Sequence, residues 1–517
     1  MLISNRQKPL LFRLKLFFAT LDFAEATAQK QSQVTLGSTS FYAEWRLRQR
    51  TAAGLRDSSD VPPERLLQAI WQHQRLQRTA LRTLDGQLVR VLHPGFSNLE
   101  GGPDFRGAVI QIGNEPATSG DVEIDLRSNG WRAHGHDRNP AFRNVILHVV
   151  WNSEQSAGPP TVAIQEALDS PLAELSLQLD HVSIRTLPDN FRGQCSSPLR
   201  DLPEAALLDL LREAGQVRME NKAALFHVRA RHAGWEQALW EGLFRALGYK
   251  HNVWPMQHLA EGRPQWLRKN DSLLGLQARL FGLSGLLPAE LSRKGRDGYL
   301  RQIWDLWWRE RDEFIELCLP RSLWRFHGLR PANHPQRRLA LASHWLHEGT
   351  LCERMERWCG DDIPDQKLLG SLMKCFQITQ DDYWSWHGTF RSGRLKKVQP
   401  LLGEGRVTDL AVNVVLPWLW ARARAGRNDI LRAAIEHRFA VWPAAADNAV
   451  LRLARQRLLG RSSSNTSVLK SAAAQQGLMQ IVRDFCDHSN AACDGCSFPE
   501  LVRERFMGRS AAAPQKI

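Results

Sequence analysis

Apolar residues recur with two different periods along the chain, and the change from one to the other falls near Pro203. Glu64, Leu67, Gln68 and Trp71 stand at i, i+3, i+4 and i+7, which predicts a helix opened by Pro62 and Pro63. Residues 83–91 then carry Asp85-Gly86 between apolar neighbours, the short signal of a hairpin turn. Alternation predicts strands at 108–112, 121–127 and 144–151, separated by clusters of Gly, Asn and Pro. From Pro203 the helical period takes over, as at 204–214, 236–246, 302–317, 449–459 and 472–485. The expected fold class is α+β, a mixed α/β domain with a small sheet followed by a large, mostly helical domain.

Length and composition refine that picture without overturning it. At roughly 100 to 200 residues per domain, 517 residues predict two to four domains. The pattern divides them into a poorly packed lead-in at 1–60, an α/β domain at 61–195, a helical domain at 196–470 and a C-terminal helix with a cysteine knuckle at 471–517. With 43% hydrophobic and 24% charged residues the chain is globular. Its best apolar run, 410–419, contains Asn413 and Pro417 and falls short of the about 18 residues a membrane span needs. Arg13 and Lys15 interrupt the only stretch that resembles a signal peptide, so a cytoplasmic location is expected. Lys and Arg number 68 against 54 acidic residues, a net charge of +14. Such an excess favours acidic partners, nucleic acid first among them, or serves solubility alone.

The richest chemistry lies in Gly101-Gly102-Pro103-Asp104-Phe105 and Gly120-Asp121-Val122-Glu123-Ile124-Asp125. Strand alternation puts Asp121, Glu123 and Asp125 on one face, where like charges repel and raise their own pKa values. A divalent cation with a taste for hard oxygen donors, Mg²⁺ or Mn²⁺, relieves that repulsion. His134 and His136, in a glycine-containing turn, and His148, on an apolar strand, are candidates for ligand, general base or hydrogen-bonded core residue. A purely structural polar network is the alternative.

The order of Glu64 on a helix, Asp104 ahead of one strand and Glu123 within the next resembles the PD-(D/E)XK nuclease core over residues 61–155. That resemblance implies a cation held by Asp104 and Glu123, a water held by Glu64, and proton transfer by His134, His136 or His148. Asp125 stands where those nucleases carry Lys, with His148 as a replacement. More widely, 101–105, 120–124, 131–136, 144–151, 329–335, 413–417 and 475–496 are similar to a bacterial domain-of-unknown-function family, numbered twenty-eight fifty-one. The family implies no activity; its members commonly have His where this chain has Asp125.

Two further groups stand apart. Cys486, Cys493 and Cys496 offer three soft thiolates with the spacing of a Zn²⁺ or iron-sulfur site, and Cys195 or His488 supplies a fourth donor. One remote and three clustered cysteines resemble the iron-sulfur arrangement of helicase-associated nucleases. Arg325, Arg330 and Arg337, interleaved with Trp324, Phe326 and His327, suit phosphate contacts and base stacking, or else local packing. The function expected is hydrolysis of nucleic-acid phosphodiesters by a divalent metal. The alternative is a non-catalytic nucleic-acid-binding or scaffold protein.

Overall fold

The computed structural model describes residues 41–46, 61–98, 101–152, 155, 158–179, 193–249, 251–291, 298–329, 331–378, 383–460, 468–486, 493 and 496–506. Helix α1 (Glu64–His73), which leads into the sheet, buries Leu66, Leu67, Ala69, Ile70 and Trp71 and ends where Gln74 turns left-handed. Strands β1 (Val89–His93), β2 (Phe96–Ser97), β3 (Phe105–Ile112) and β4 (Thr118–Asp125) follow. After them come a one-turn helix α2 (Gly130–Ala133) and strands β5 (Val145–Val150) and β6 (Thr161–Ala163).

The sheet runs β1-β3-β4-β5-β6, with β2 also paired to β3. β1 and β4 flank β3 antiparallel, whereas β4–β5 and β5–β6 are parallel. Parallel strands of a mixed sheet are covered on both faces, and here Val122–Asp125 and Leu147–Val150 are buried without a break. That placement draws Glu123, Asp125 and His148 into the interior although their neighbours are apolar.

Beyond residue 203 the protein is helical. Its longest helix, Glu204–Ala233, lies against Ala472–Ile481 with the two backbones almost touching. A Cβ at Gly215 would sit 2.3 Å from the Ala473 carbonyl oxygen and one at Gly477 only 1.9 Å from that of Leu211, so only glycine fits at either position. The helix expected over 302–317 instead runs Gly298–Glu310 and tightens into a 3₁₀ segment at Arg311–Leu317. Residues 41–46, within the expected lead-in, are helical and packed: Tyr42 is fully buried, and its hydroxyl donates to Asp484 at 2.9 Å. The rest of 1–60 and the serine-rich 461–467 lie outside the described residues. No helix among the described residues is long and apolar enough to cross a membrane.

The sheet and the helices are joined by specific contacts. Arg78 bonds Glu261 at 2.7 Å, a ring nitrogen of His258 lies 2.9 Å from the Leu92 carbonyl, and Leu92 belongs to the helical core. The Asn252 side chain holds the Arg325 backbone by two hydrogen bonds, its Oδ1 accepting from the Arg325 amide at 2.8 Å and its Nδ2 donating to the Arg325 carbonyl at 2.9 Å, which carries Arg325 onto β2. The Arg325 guanidinium lies 4.9 Å from the ring centre of Phe96.

Candidate metal centre

Asp104 precedes β3 and Glu123 lies inside β4, and each strand holds the other's carboxylate. The Asp104 amide donates to Glu123 Oε2 and the Ile124 amide donates to Asp104 Oδ2, both at 3.1 Å. Gln68, one turn along α1 from Glu64, donates to Asp104 Oδ1 at 2.9 Å and to Glu64 Oε1 at 3.3 Å. Burial, followed by mutual repulsion among the carboxylates, pushes Asp104 up to about 7 and Glu123 up to about 8. Glu64, nearer solvent, is raised by partial burial and then by Asp125.

Asp125 ends β4, and the chain then folds back over it. A Cβ at Gly130 would fall 2.7 Å from the Asp125 carboxyl, so α2 can pass this closely only with glycine there. Trp131 is buried as the anchor of the turn, and Gly135, left-handed at φ +72°, reverses the chain so that His134 and His136 both face β4. His134 Nδ1 lies 3.1 Å from Asp125 Oδ1, and His148 Nε2 lies 2.9 Å from Asp125 Oδ2. His136 stacks on Phe142 with ring centres 4.0 Å apart, and its Nε2 is 3.2 Å from Glu123 Oε1. Burial lowers the His136 pKa from its ordinary value.

Among the described residues, Asp125, His134 and His136 form the group whose donor atoms all lie within 4.8 Å of one another. Asp125 is buried, His136 half-buried and His134 exposed, so the group opens on one side to solvent. One carboxylate and two imidazoles are a borderline donor set suited to Zn²⁺, Mn²⁺ or Fe²⁺. His136 Nε2 has no aligned hydrogen-bond partner among the described residues, as befits a nitrogen left for a cation.

The sequence-predicted residues are thus gathered, but with roles moved. Asp104 and Glu123, expected as ligands, adjoin the donor trio rather than compose it. Asp125, expected on the acidic face at the position where those nucleases carry Lys, belongs to the trio. Asp121, expected on the same face, is engaged elsewhere, accepting from the Gly107 amide at 3.0 Å where β3 bulges. His148 is wholly buried and serves Asp125, while its Nδ1 has no hydrogen-bond partner among the described residues. Arg325 is exposed, whereas Arg337 is buried and donates to the carbonyls of His387, Gln399 and Pro400, turning its charge inward. Arg330 lies outside the described residues.

Sequence reasoning missed Gln68 as the link between Glu64 and Asp104, although its place at i+4 from Glu64 signals that contact. It also missed Phe96, a lone exposed aromatic on a two-residue strand with no periodicity to betray it. The family described as "Protein of unknown function (DUF2851)" matches residues 64–442, which takes in the sheet, the donor trio and most of the helical region. No curated protein and no solved structure matches.

Proposed function

The chain belongs to the DUF2851 family, and we propose that this member is a divalent-metal-dependent hydrolase acting on nucleic-acid phosphodiesters. One observation carries the reading: a carboxylate–imidazole donor trio adjoins the buried carboxyl of Glu123 and the half-buried one of Asp104, whose proton affinities fall near neutrality. Asp125, His134 and His136 would hold the cation, which supplies positive charge to a phosphodiester oxygen and eases deprotonation of water.

The remaining steps belong to the protein's own groups. Glu123 and Asp104, held at about 8 and about 7, can take a proton from water and return one to a leaving oxygen at physiological pH. Gln68 keeps Asp104 aimed, and His148 fixes the orientation of Asp125. Three further features support a nucleic-acid substrate. The net charge is +14. The exposed Phe96 and the guanidinium of Arg325 lie on the strand beside Asp104, where a base can stack and a phosphate can pair. The chain order of Glu64, Asp104 and Glu123 is the feature on which the nuclease-core resemblance rests.

The test is cleavage of single- and double-stranded DNA and RNA with Mg²⁺, Mn²⁺ or Zn²⁺. Asp125→Asn and His136→Ala should each lose the cation and about 100-fold or more of the rate, and Glu123→Gln about 100-fold with the cation retained. Cleavage that survives these changes ends the assignment. Cation binding with no turnover on any nucleic acid would favour the non-catalytic alternative, in which the His134–Asp125–His148 network is structural.

A further inference from the structure

We propose that Cys195, Cys486, Cys493 and Cys496 form a second centre, a four-thiolate site for a soft metal, which fastens the C-terminal segment to the start of the helical region. It is independent of the site on the sheet, both in position and in chemistry.

Three stretches of chain that are neighbours in the fold carry these cysteines. Cys195 caps the short helix Ser196–Arg200, which packs against both Ala449–Leu459 and the last described helix, Phe498–Phe506. Cys486 closes the π-helical turn Val482–Cys486 that extends Ala472–Ile481. Cys496 stands two residues before Phe498, and its amide donates to the Cys493 carbonyl at 3.2 Å, closing a Cys-x-x-Cys turn. Cys195 is a member of the apolar cluster built from Leu199, Leu207, Leu458, Phe485 and Phe498, and Cys496 packs against it. Cys195 and Cys493 are 5% and 6% exposed, too enclosed to serve as surface thiols.

Two observations separate this group from cysteines used as small apolar residues. First, Cys493 has φ +62°, a left-handed conformation that Gly or Asn occupies at less cost; a side chain kept there against about 1 kcal/mol of strain implies a use for its sulfur. Second, Cys486, Cys496 and Cys493 all lie within electrostatic reach of Cys195, although the three come from a different part of the chain. Four thiolates cannot share such a pocket as bare anions, whereas a bound metal deprotonates and neutralises them together. Cys318, Cys352, Cys359 and Cys375, in the helical core, are also raised by burial, but none of them has another cysteine among the charges acting on it.

The spacing bears on the occupant. Zn–S bonds of about 2.3 Å put tetrahedral sulfurs roughly 3.8 Å apart. Among the described residues no three cysteine sulfurs lie within 4.8 Å of one another. A polynuclear iron-sulfur core, held by four cysteines, fills a wider pocket. Both occupants share the same donor chemistry.

The experiment is metal and acid-labile sulfide analysis of the full-length protein purified without chelator under anaerobic conditions, with its visible spectrum. Iron and sulfide in matched amounts with broad absorbance in the visible region support a cluster. One equivalent of zinc that survives Asp125→Asn together with His136→Ala supports the site with zinc in it. Cys493→Ser and Cys195→Ser should each reduce that metal at least tenfold, whereas Cys318→Ser leaves it unchanged. A wild-type protein that binds no thiophilic metal under these conditions overturns the proposal, as does metal content unaffected by both cysteine changes. Neither result touches the sheet site, whose cation would be lost only with Asp125 and His136.

Discussion

In the helical region Arg279 is 3% exposed and lies between Asp271 at 2.6 Å and Glu310 at 2.7 Å. Arg438, equally enclosed, donates to the carbonyls of Trp358 and Asp361 at 2.7 and 2.6 Å. Around the sheet, Glu123 is just as buried, yet its carboxylate is met by one amide and one imidazole, and the charges that act on it most are those of Asp104, Asp125 and Glu64. One region therefore meets these buried charges with an opposite charge or with carbonyl dipoles, and the other concentrates one sign. Matching is what folding alone selects, because an unpaired buried charge is costly. Concentration persists only where something outside the chain, a proton or a cation, completes the site.

The largest expected effect comes from breaking the matched region. Arg279→Met leaves the half-buried Asp271 and Glu310 without the guanidinium between them, with only Arg268 still near Glu310, and should cost about 3 kcal/mol in urea unfolding. Glu123→Gln in metal-free protein should do the reverse at pH 8.5 and stabilise the fold, because it removes a charge the site repels. If the two substitutions destabilise alike, the contrast between the regions is void.

Stability against pH sharpens the same contrast at a smaller scale. Asp104 and Glu123 ordinarily lose their protons near 3.8 and 4.5, but in the fold near 7 and 8. Between those limits the folded state holds protons that the unfolded chain has released. Their contribution to stability is therefore full below about pH 4 and lost as pH rises through 7 and 8. Metal-free protein should lose about 1–3 kcal/mol between pH 6 and pH 9. Glu123→Gln should flatten that slope, and a divalent cation should restore the stability at the alkaline end. Thermal unfolding followed across this range decides it, and a profile that rises with pH refutes the protonated-carboxyl account. His93 acts in the opposite direction: burial and then Arg325 hold it down to about 4, so it removes stability as pH falls below its ordinary 6.5.

How much of this was legible in the sequence depends on the range of the interaction. β3, β4 and β5 were readable because glycine and proline punctuate short alternating runs, whereas β2 and β6, with two and three residues, are too short to show a period. The full length of Glu204–Ala233 was hidden for a different reason. Its residues from Leu207 to Val217 serve one apolar cluster, while Met219 and Ala223 serve another, so no single stripe runs along it. In the site, the residue types were visible but not their partners. Whether Asp125 meets His148 is decided by the parallel β4–β5 register, and whether Arg337 points inward is decided by the carbonyls of a loop about 50 to 63 residues away. Alternation also placed Asp121 with Glu123, because a bulge between Phe105 and Ala108 cannot be seen from β4 itself.

The smallest effect concerns the surface beside the site, where the two candidate arginines can be set against each other. Arg325 presents an exposed guanidinium over Phe96 on the strand next to Asp104, and Arg337 spends its own on carbonyls in the core. If nucleic acid crosses this face, Arg325→Gln removes one phosphate contact. It should then weaken binding about tenfold and lower the slope of log affinity against log salt by about one. Phe96→Ala should weaken binding of single strands by a similar factor, since stacking on one aromatic is worth about 1–3 kcal/mol, and leave the salt slope alone. Arg337→Gln should lower thermal stability without altering the slope. Fluorescence anisotropy with a labelled oligonucleotide across a salt series separates these outcomes. Equal slopes for wild type and Arg325→Gln would mean that nucleic acid does not cross this face, and the cation site would then need a substrate of another kind.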